Sequence, residues 1–372
     1  VVPALIATYC GVPIAPLYGH AAIRARLGTA LSRGTLPASL LLTGPRGVGK
    51  QRLALWLAQA VVCEGPGERP CGTCAQCRYS RELTHPDIQW FFPRTRPKDS
   101  DPSLAEVRSD YAEAIAERVK NLGLYPPATG LDGLFVATIR ALVQQASLSP
   151  AMARRKVFVV GDAERMVPQE GADAAANAFL KLLEEPPPDT TIIITSSEPG
   201  ALLPTIRSRV VCVRVPPVTE ADVRDFLGDP AVVAALGERG DVQALVELAS
   251  GAPGTLLGSG GLKRALDDAR RLLEAATRGG RPDMMRAAFT RGAAGARGAF
   301  SDTLDALTVV LRDEARDASA WSSDGVPRDA ARALAASRSI AAVEQAKGRA
   351  EGNVNPQLLT AWLLREIAGA FR

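Results

Sequence analysis

Gly44-Pro45-Arg46-Gly47-Val48-Gly49-Lys50-Gln51 decides how this chain folds, because it is a phosphate-binding loop whose last position has changed. The complete pattern G-x-x-x-x-G-K-[ST] has three working parts. Glycines let backbone N–H groups close around phosphate oxygens, a Lys reaches the β/γ oxygens, and a Ser/Thr hydroxyl ligates Mg²⁺. Gly44, Gly47, Gly49 and Lys50 are in place, whereas Gln51 stands where the hydroxyl belongs. Upstream, Leu40-Leu41-Leu42-Thr43 reads as a short buried strand running into the glycines; downstream, Leu53, Leu57 and Val61 recur at helical spacing. Strand, glycine loop and helix in that order predict a nucleotide-site architecture with a defect at the metal.

Outward from the loop, further strands are expected at Ile88–Phe92, Val157–Val160, Ile192–Thr195 and Val210–Val215, with helical stretches between most of them. That alternation implies a parallel sheet covered on both faces. Pro216-Pro217 closes the region, and short helical patterns follow, with Thr219 placed as an N-cap ahead of Glu220 and Asp222. Beyond Gly258-Ser259-Gly260-Gly261 the pattern is helical to the end. The 372 residues therefore divide into an α/β domain over 17–216, a small helical domain over 217–260 and an all-helical domain over 261–372. The polar, Pro-rich stretch 93–102 is expected to be a mobile surface insertion.

A hydrophobic content of 47% with 23% charged residues describes a folded soluble protein, and a net charge of +4 leans only weakly toward nucleic acid. Nothing resembles an apolar membrane span of about 20 residues. The apolar opening 1–18 lacks a basic start and is broken by Pro3, Pro13 and Pro16, so it does not read as a signal peptide. The compartment expected on these grounds is the cytoplasm.

Cys63, Cys71, Cys74 and Cys77 form C-x₇-C-x₂-C-x₂-C, with Gly65, Pro66, Gly67, Pro70 and Gly72 supplying turns. Four thiolates at this spacing can surround one Zn²⁺ as a closed tetrahedral site. Unbound thiols, disulfides and an iron–sulfur site are the alternatives; the fourth Cys followed by Pro that marks the ferredoxin run is absent, which favours zinc. With only His20 and His85 in the chain, a His-built catalytic metal site is not expected. Cys10 and Cys212 read as ordinary apolar thiols.

The loop helix ending in a four-Cys knot, followed by His85-Pro86-Asp87, resembles the AAA+ subunits of bacterial DNA polymerase III clamp loaders. Leu148-Ser149-Pro150, the run from Asn177 to Pro187 and Leu203-Pro204-Thr205-Ile206-Arg207-Ser208-Arg209 extend the resemblance, the last similar to an S-R-C element with Val210 in place of Cys. Asn355-Pro356-Gln357-Leu358-Leu359 resembles the collar pattern of the same subunits. The match runs from Leu17 to the C-terminus, patchily over 93–131 and 262–352. It implies an AAA+ P-loop domain with an inserted zinc module at 63–77, then a helical lid and a helical collar.

In active relatives the Walker B strand ends in two acids, and here Gly161 takes the metal position ahead of Asp162-Ala163-Glu164. A sensor-2 Arg is expected near Gly251-Ala252-Pro253-Gly254, where there is none. Gln51, Gly161 and the missing Arg count as three separate losses, and without a placed metal phosphoryl transfer loses charge neutralisation and positioning. The resemblance thus implies a non-hydrolysing, delta-prime type of subunit. Its partners would be gamma/tau ATPases and delta, with the sliding clamp and primed DNA reached through the complex. Arg209 would serve in trans as an arginine finger on a neighbour's ATP; outside that context it is a surface arginine. Lys50 reads either as a residual nucleotide ligand or as a remnant, leaving ATP binding open and hydrolysis unexpected. The competing readings are a gamma/tau-type ATPase and a zinc-dependent nucleic-acid protein. Against the second, Arg69, Arg78 and Arg81 near the knot are offset by Glu64, Glu68 and Glu82.

Overall fold

The computed structural model describes residues 13–97, 99, 102–126, 128, 132–166, 173–236, 242–257, 262–289, 297–320, 328–350 and 355–372. Most of the apolar opening, with Cys10, and the Gly258–Gly261 linker lie outside them. The chain divides into two compact units, Val1–Leu257 and Gly258–Arg372.

The first unit runs α1 (Ala21–Ser32), β1 (Ser39–Thr43), α2 (Lys50–Val62), α3 (Ala75–Arg81), β2 (Ile88–Phe91), β3 (Arg94–Thr95), α4 (Leu104–Lys120), β4 (Asp132–Gly133), α5 (Val136–Ala146), β5 (Lys156–Val160), α6 (Asp173–Glu184), β6 (Thr190–Ser196), α7 (Pro204–Arg207) and β7 (Val211–Arg214). Five strands make one parallel sheet in the order β2-β5-β6-β1-β7. Every residue of β1, β5 and β6 is buried, as the continuous apolar runs require of strands covered on both faces. Register pairs Thr43 with Ser196 and Val160 with Ile194, so the carboxyl ends of β1, β5 and β6 deliver Gly44, Gly161 and Ser197 to one edge. That edge is where an open α/β sheet places its ligand site. On α2, Leu53, Leu57 and Val61 are buried against the sheet, as their spacing predicted.

All five expected strands are present. The stretch after β2 differs from expectation. Arg94–Thr95 pair antiparallel with Asp132–Gly133, Arg94 reaches both oxygens of Asp110, and a 17-residue helix, α4, follows. Val107, Tyr111 and Ala114 turn one face of α4 into the core. Cys212, read as an apolar thiol, is exposed on β7.

Helices α8 (Glu220–Gly228), α9 (Pro230–Leu236) and α10 (Val242–Ala249) complete the first unit. Thr219 caps α8 as expected: its hydroxyl accepts from the Asp222 amide while the Asp222 carboxylate accepts from the Thr219 amide. The second unit comprises α11 (Leu262–Thr277), α12 (Arg281–Phe289), α13 (Arg297–Ser319), α14 (Ala330–Ala350) and α15 (Pro356–Ala370). Its core is built from Leu272, Leu304, Leu307, Leu311, Val343, Leu363 and Ile367. The Asn355-Pro356-Gln357 motif starts α15, the Asn355 side chain accepting from the Gln357 amide at 2.9 Å with Pro356 in the first turn. No helix among the described residues is long and apolar enough to cross a membrane.

Candidate functional site

The glycine loop leaves β1 and enters α2 with Gly47 and Gly49 at φ of 77° and 96°, a backbone only glycine adopts freely. Close packing explains the rest of the pattern. A Cβ at Gly44 would lie 2.1 Å from the Val215 carbonyl oxygen, and one at Gly47 would lie 2.6 Å from the Thr255 nitrogen. The Gly254 amide donates to the Gly47 oxygen at 2.8 Å, so the Gly251–Gly254 segment sits directly on the loop without contributing an Arg. His20 Nε2 bonds the Val48 oxygen at 2.8 Å, and burial holds the His20 pKa below its ordinary value. Its ring is therefore neutral near pH 7, with Nε2–H as the donor.

Lys50 is turned back on its own chain. Its Nζ donates to the carbonyls of Gly44 and Pro45 and to Ser197 Oγ, at 2.9, 2.8 and 2.8 Å. Burial lowers its pKa to about 8, against the pull of Asp162 and Glu164. Glu164 accepts from the Ser197 amide at 3.0 Å, and burial pushes its carboxyl above the ordinary carboxylate range.

Gln51 lies between β2 and the end of β5. Its Nε2 donates to Asp162 at 3.0 Å, and its Oε1 accepts the buried Trp90 indole N–H at 3.0 Å. A Cβ at Gly161 would lie 2.3 Å from Gln51 Oε1 and 2.5 Å from its Cδ. Gly161 is not at positive φ, so the backbone conformation would accept a side chain, and the three atoms nearest to a Cβ there all belong to Gln51. The two departures from the motif at 51 and 161, counted separately from sequence, are in direct contact. Behind Trp90, the Arg118 guanidinium of α4 lies 4.3, 3.3 and 3.7 Å from the ring centroids of Trp90, Phe92 and Tyr125. Burial lowers the Arg118 pKa to about 10. Trp90 and Arg118 escaped the sequence reading because neither belongs to a motif.

The four sulfurs of Cys63, Cys71, Cys74 and Cys77 lie within 4.8 Å of one another. Cys63–Cys74 and Cys71–Cys77 are 3.9 and 4.0 Å apart, too far for disulfides. They are close to the edge of about 3.8 Å of a tetrahedron with 2.3 Å Zn–S bonds. Amides of Cys71, Cys74 and Cys77 point at the sulfurs of Cys63, Cys71 and Cys74. The Cys74 and Thr73 amides pull the Cys71 thiol down to about 5, whereas burial pushes Cys63 and Cys77 up. Two sulfurs thus resist ionising without a cation, and the cluster can hold a metal ion. Gly65 is needed for room as well as for a turn, since a Cβ there would lie 2.3 Å from Cys71 Sγ.

His85-Pro86-Asp87 ties this module to the sheet. His85 Nε2 bonds Gln76 Oε1 at 2.7 Å, and the Asp87 carboxylate accepts amides of Ala151, Met152 and Ala153 at 2.5–2.7 Å. Arg209, just past α7, is partly exposed and donates to the Thr205 oxygen at 2.9 Å.

The family model described as DNA polymerase III, delta subunit matches residues 19–219. The DNA polymerase III subunit gamma/tau of Mycobacterium tuberculosis is 29% identical over 207 residues, 55% of this chain. The delta' subunits of Pseudomonas aeruginosa and Escherichia coli are 34% and 27% identical over 46% and 59% of it. The matched segments take up 29%, 40% and 53% of these three relatives' lengths.

Proposed function

This chain belongs to the DNA polymerase III delta-subunit family, and from that premise we propose that it is a delta-prime-like clamp-loader subunit that does not hydrolyse ATP itself. Gln51 carries the reading: it fills the space a carboxylate at position 161 would need, held by Trp90 and Asp162. Both protein ligands of Mg²⁺ are then missing together, while Lys50 directs its donors at its own loop and at Ser197. The partners in this reading are gamma/tau ATPase subunits and delta in the cytoplasm, with the clamp and primed DNA engaged by the assembly. The four cysteines hold a structural zinc, and helices α8–α10 and the second unit take the parts of lid and collar.

Arg209 supplies the chemistry in trans. In sequence it is flanked by two exposed apolar side chains, Leu203 (57%) and Val211 (50%), as at a covered interface edge. A planar, permanently charged guanidinium fits phosphate oxygens in a way an ammonium does not. Arg209→Ala in the reconstituted complex should assemble normally yet lower clamp- and DNA-stimulated ATP turnover, and Arg209→Lys should rescue it poorly. Fingers of this kind contribute about 10³–10⁵ in rate, diluted where other sites in the ring remain intact. Turnover and loading at the unmutated rate would return Arg209 to the status of a surface arginine.

A further inference from the structure

We propose that Glu184 is the positioning residue for Arg209, stowing its guanidinium against the end of α6 until a phosphate on the neighbouring subunit takes the place of the carboxylate. The inference rests on the reading of Arg209 as a trans-acting finger. Arg209 Nη2 lies 3.2 Å from Glu184 Oε1, while Nη1 is shared between the Thr205 carbonyl and Ser208 Oγ. Its Nε is buried without a partner. The guanidinium is therefore held on one side and left incomplete on the other, a state disfavoured by its unsatisfied donor.

The carboxylate is delivered from a fixed support. Phe179 and Leu183 of α6 are each 2% exposed, and the Leu183 carbonyl accepts from Ser39 Oγ at the start of β1. Glu184 is the last residue of α6, where a negative side chain meets the negative end of the helix dipole. Its own helix gains nothing from a carboxylate there; the contact with Arg209 does. Leu180–Leu183 reads from sequence as core packing, and Glu184 follows one residue past the buried Leu183. With side-chain exposures of 27% and 56%, the pair is open to solvent and weakly held, so a more highly charged phosphate can displace it.

The test uses the clamp loader reconstituted with its own gamma/tau and delta subunits, carrying Glu184→Gln or Glu184→Asp with Arg209 intact or changed to Ala. ATP turnover is followed against ATP concentration at low and high salt. With Arg209 present, Glu184→Gln should raise unstimulated kcat about two- to fivefold, the range an exposed ion pair can hold back, with KM little changed. High salt should erase the difference, and Glu184→Asp should restore unmutated behaviour. In the Arg209→Ala background Glu184→Gln should do nothing. Equal effects in both backgrounds, or no effect at low salt while Arg209→Ala lowers turnover, would overturn the role of Glu184 and leave the finger standing. Unchanged turnover in Arg209→Ala itself would remove the finger and this inference with it.

Discussion

Adding one methyl group at Gly161 tests whether the metal position is filled by Gln51. The new carbon would lie 2.3 Å from Oε1, 2.5 Å from Cδ and 2.8 Å from Nε2 of Gln51, so that side chain or the end of β5 must move. If the backbone yields, overpacking costs about 1–3 kcal/mol. If Gln51 leaves, the Trp90 indole N–H, on a residue only 3% exposed, loses its acceptor at a cost of about 1–3 kcal/mol. Both routes predict the same loss for Gly161→Ala. Gln51→Ser removes the clashing atoms, carries its own cost at Trp90, and leaves room for the added methyl group. In that background the second change should cost no more than about 0.5 kcal/mol, giving a coupling of about 0.5–3 kcal/mol. Hydrogen exchange at α2 and β5 amides in the full chain reads opening within the first unit, to which both elements belong. A cycle that closes, with costs adding to within about 0.3 kcal/mol, would refute the shared-space argument.

Elemental analysis should find one zinc per chain, lost with Cys74→Ser together with protection of the 63–81 segment, since structural zinc supplies about 10–16 kcal/mol of apparent binding energy in small peptides; iron with visible absorption would exclude it. The isolated chain should show no Lys50-dependent ATP turnover, and Gln51→Ser alone should not create it because Gly161 still offers no carboxylate; turnover abolished by Lys50→Ala would point to a gamma/tau-type enzyme. His20 adds a pH term of definite sign. Burial sets its folded pKa below the ordinary 6.5, so the unfolded chain takes up the proton first, and stability present above that value is lost as pH falls through it toward the folded pKa. Comparing urea stability at pH 7.5 and 5.5, His20→Asn should flatten the decline, and an unchanged difference would show that the ring is not held neutral.

The strands, the glycine loop, the cysteine cluster and the Thr219 cap were legible because each is a short-range pattern whose spacing carries its own physics. The helix α4 was missed although its signals were present. Ser103 and Glu106 form a reciprocal capping box, and Val107, Tyr111 and Ala114 recur at helical spacing. The Pro-rich polar stretch before them masked both. Other features were not legible at any spacing. Gln51 and Gly161 lie on different elements, and only the sheet order brings them into contact. Arg118 enters an aromatic box whose three rings come from β2, the residue just after it, and a loop beyond α4.

The glycines and the lysine of the phosphate-loop pattern have structural reasons in the chain's own contacts. Gly44 is required by the Val215 carbonyl and Gly47 by Thr255, whatever the loop binds. Lys50 has three acceptors within its own chain, so its ammonium is satisfied without phosphate. A triphosphate entering the loop would compete with those three bonds for the amine. The Gly254 amide donates to the Gly47 oxygen at 2.8 Å, which ties the segment after α10 to the loop. Loop and helical segment therefore form one packed junction, and Gln51, braced by Trp90, packs beside it against Gly161.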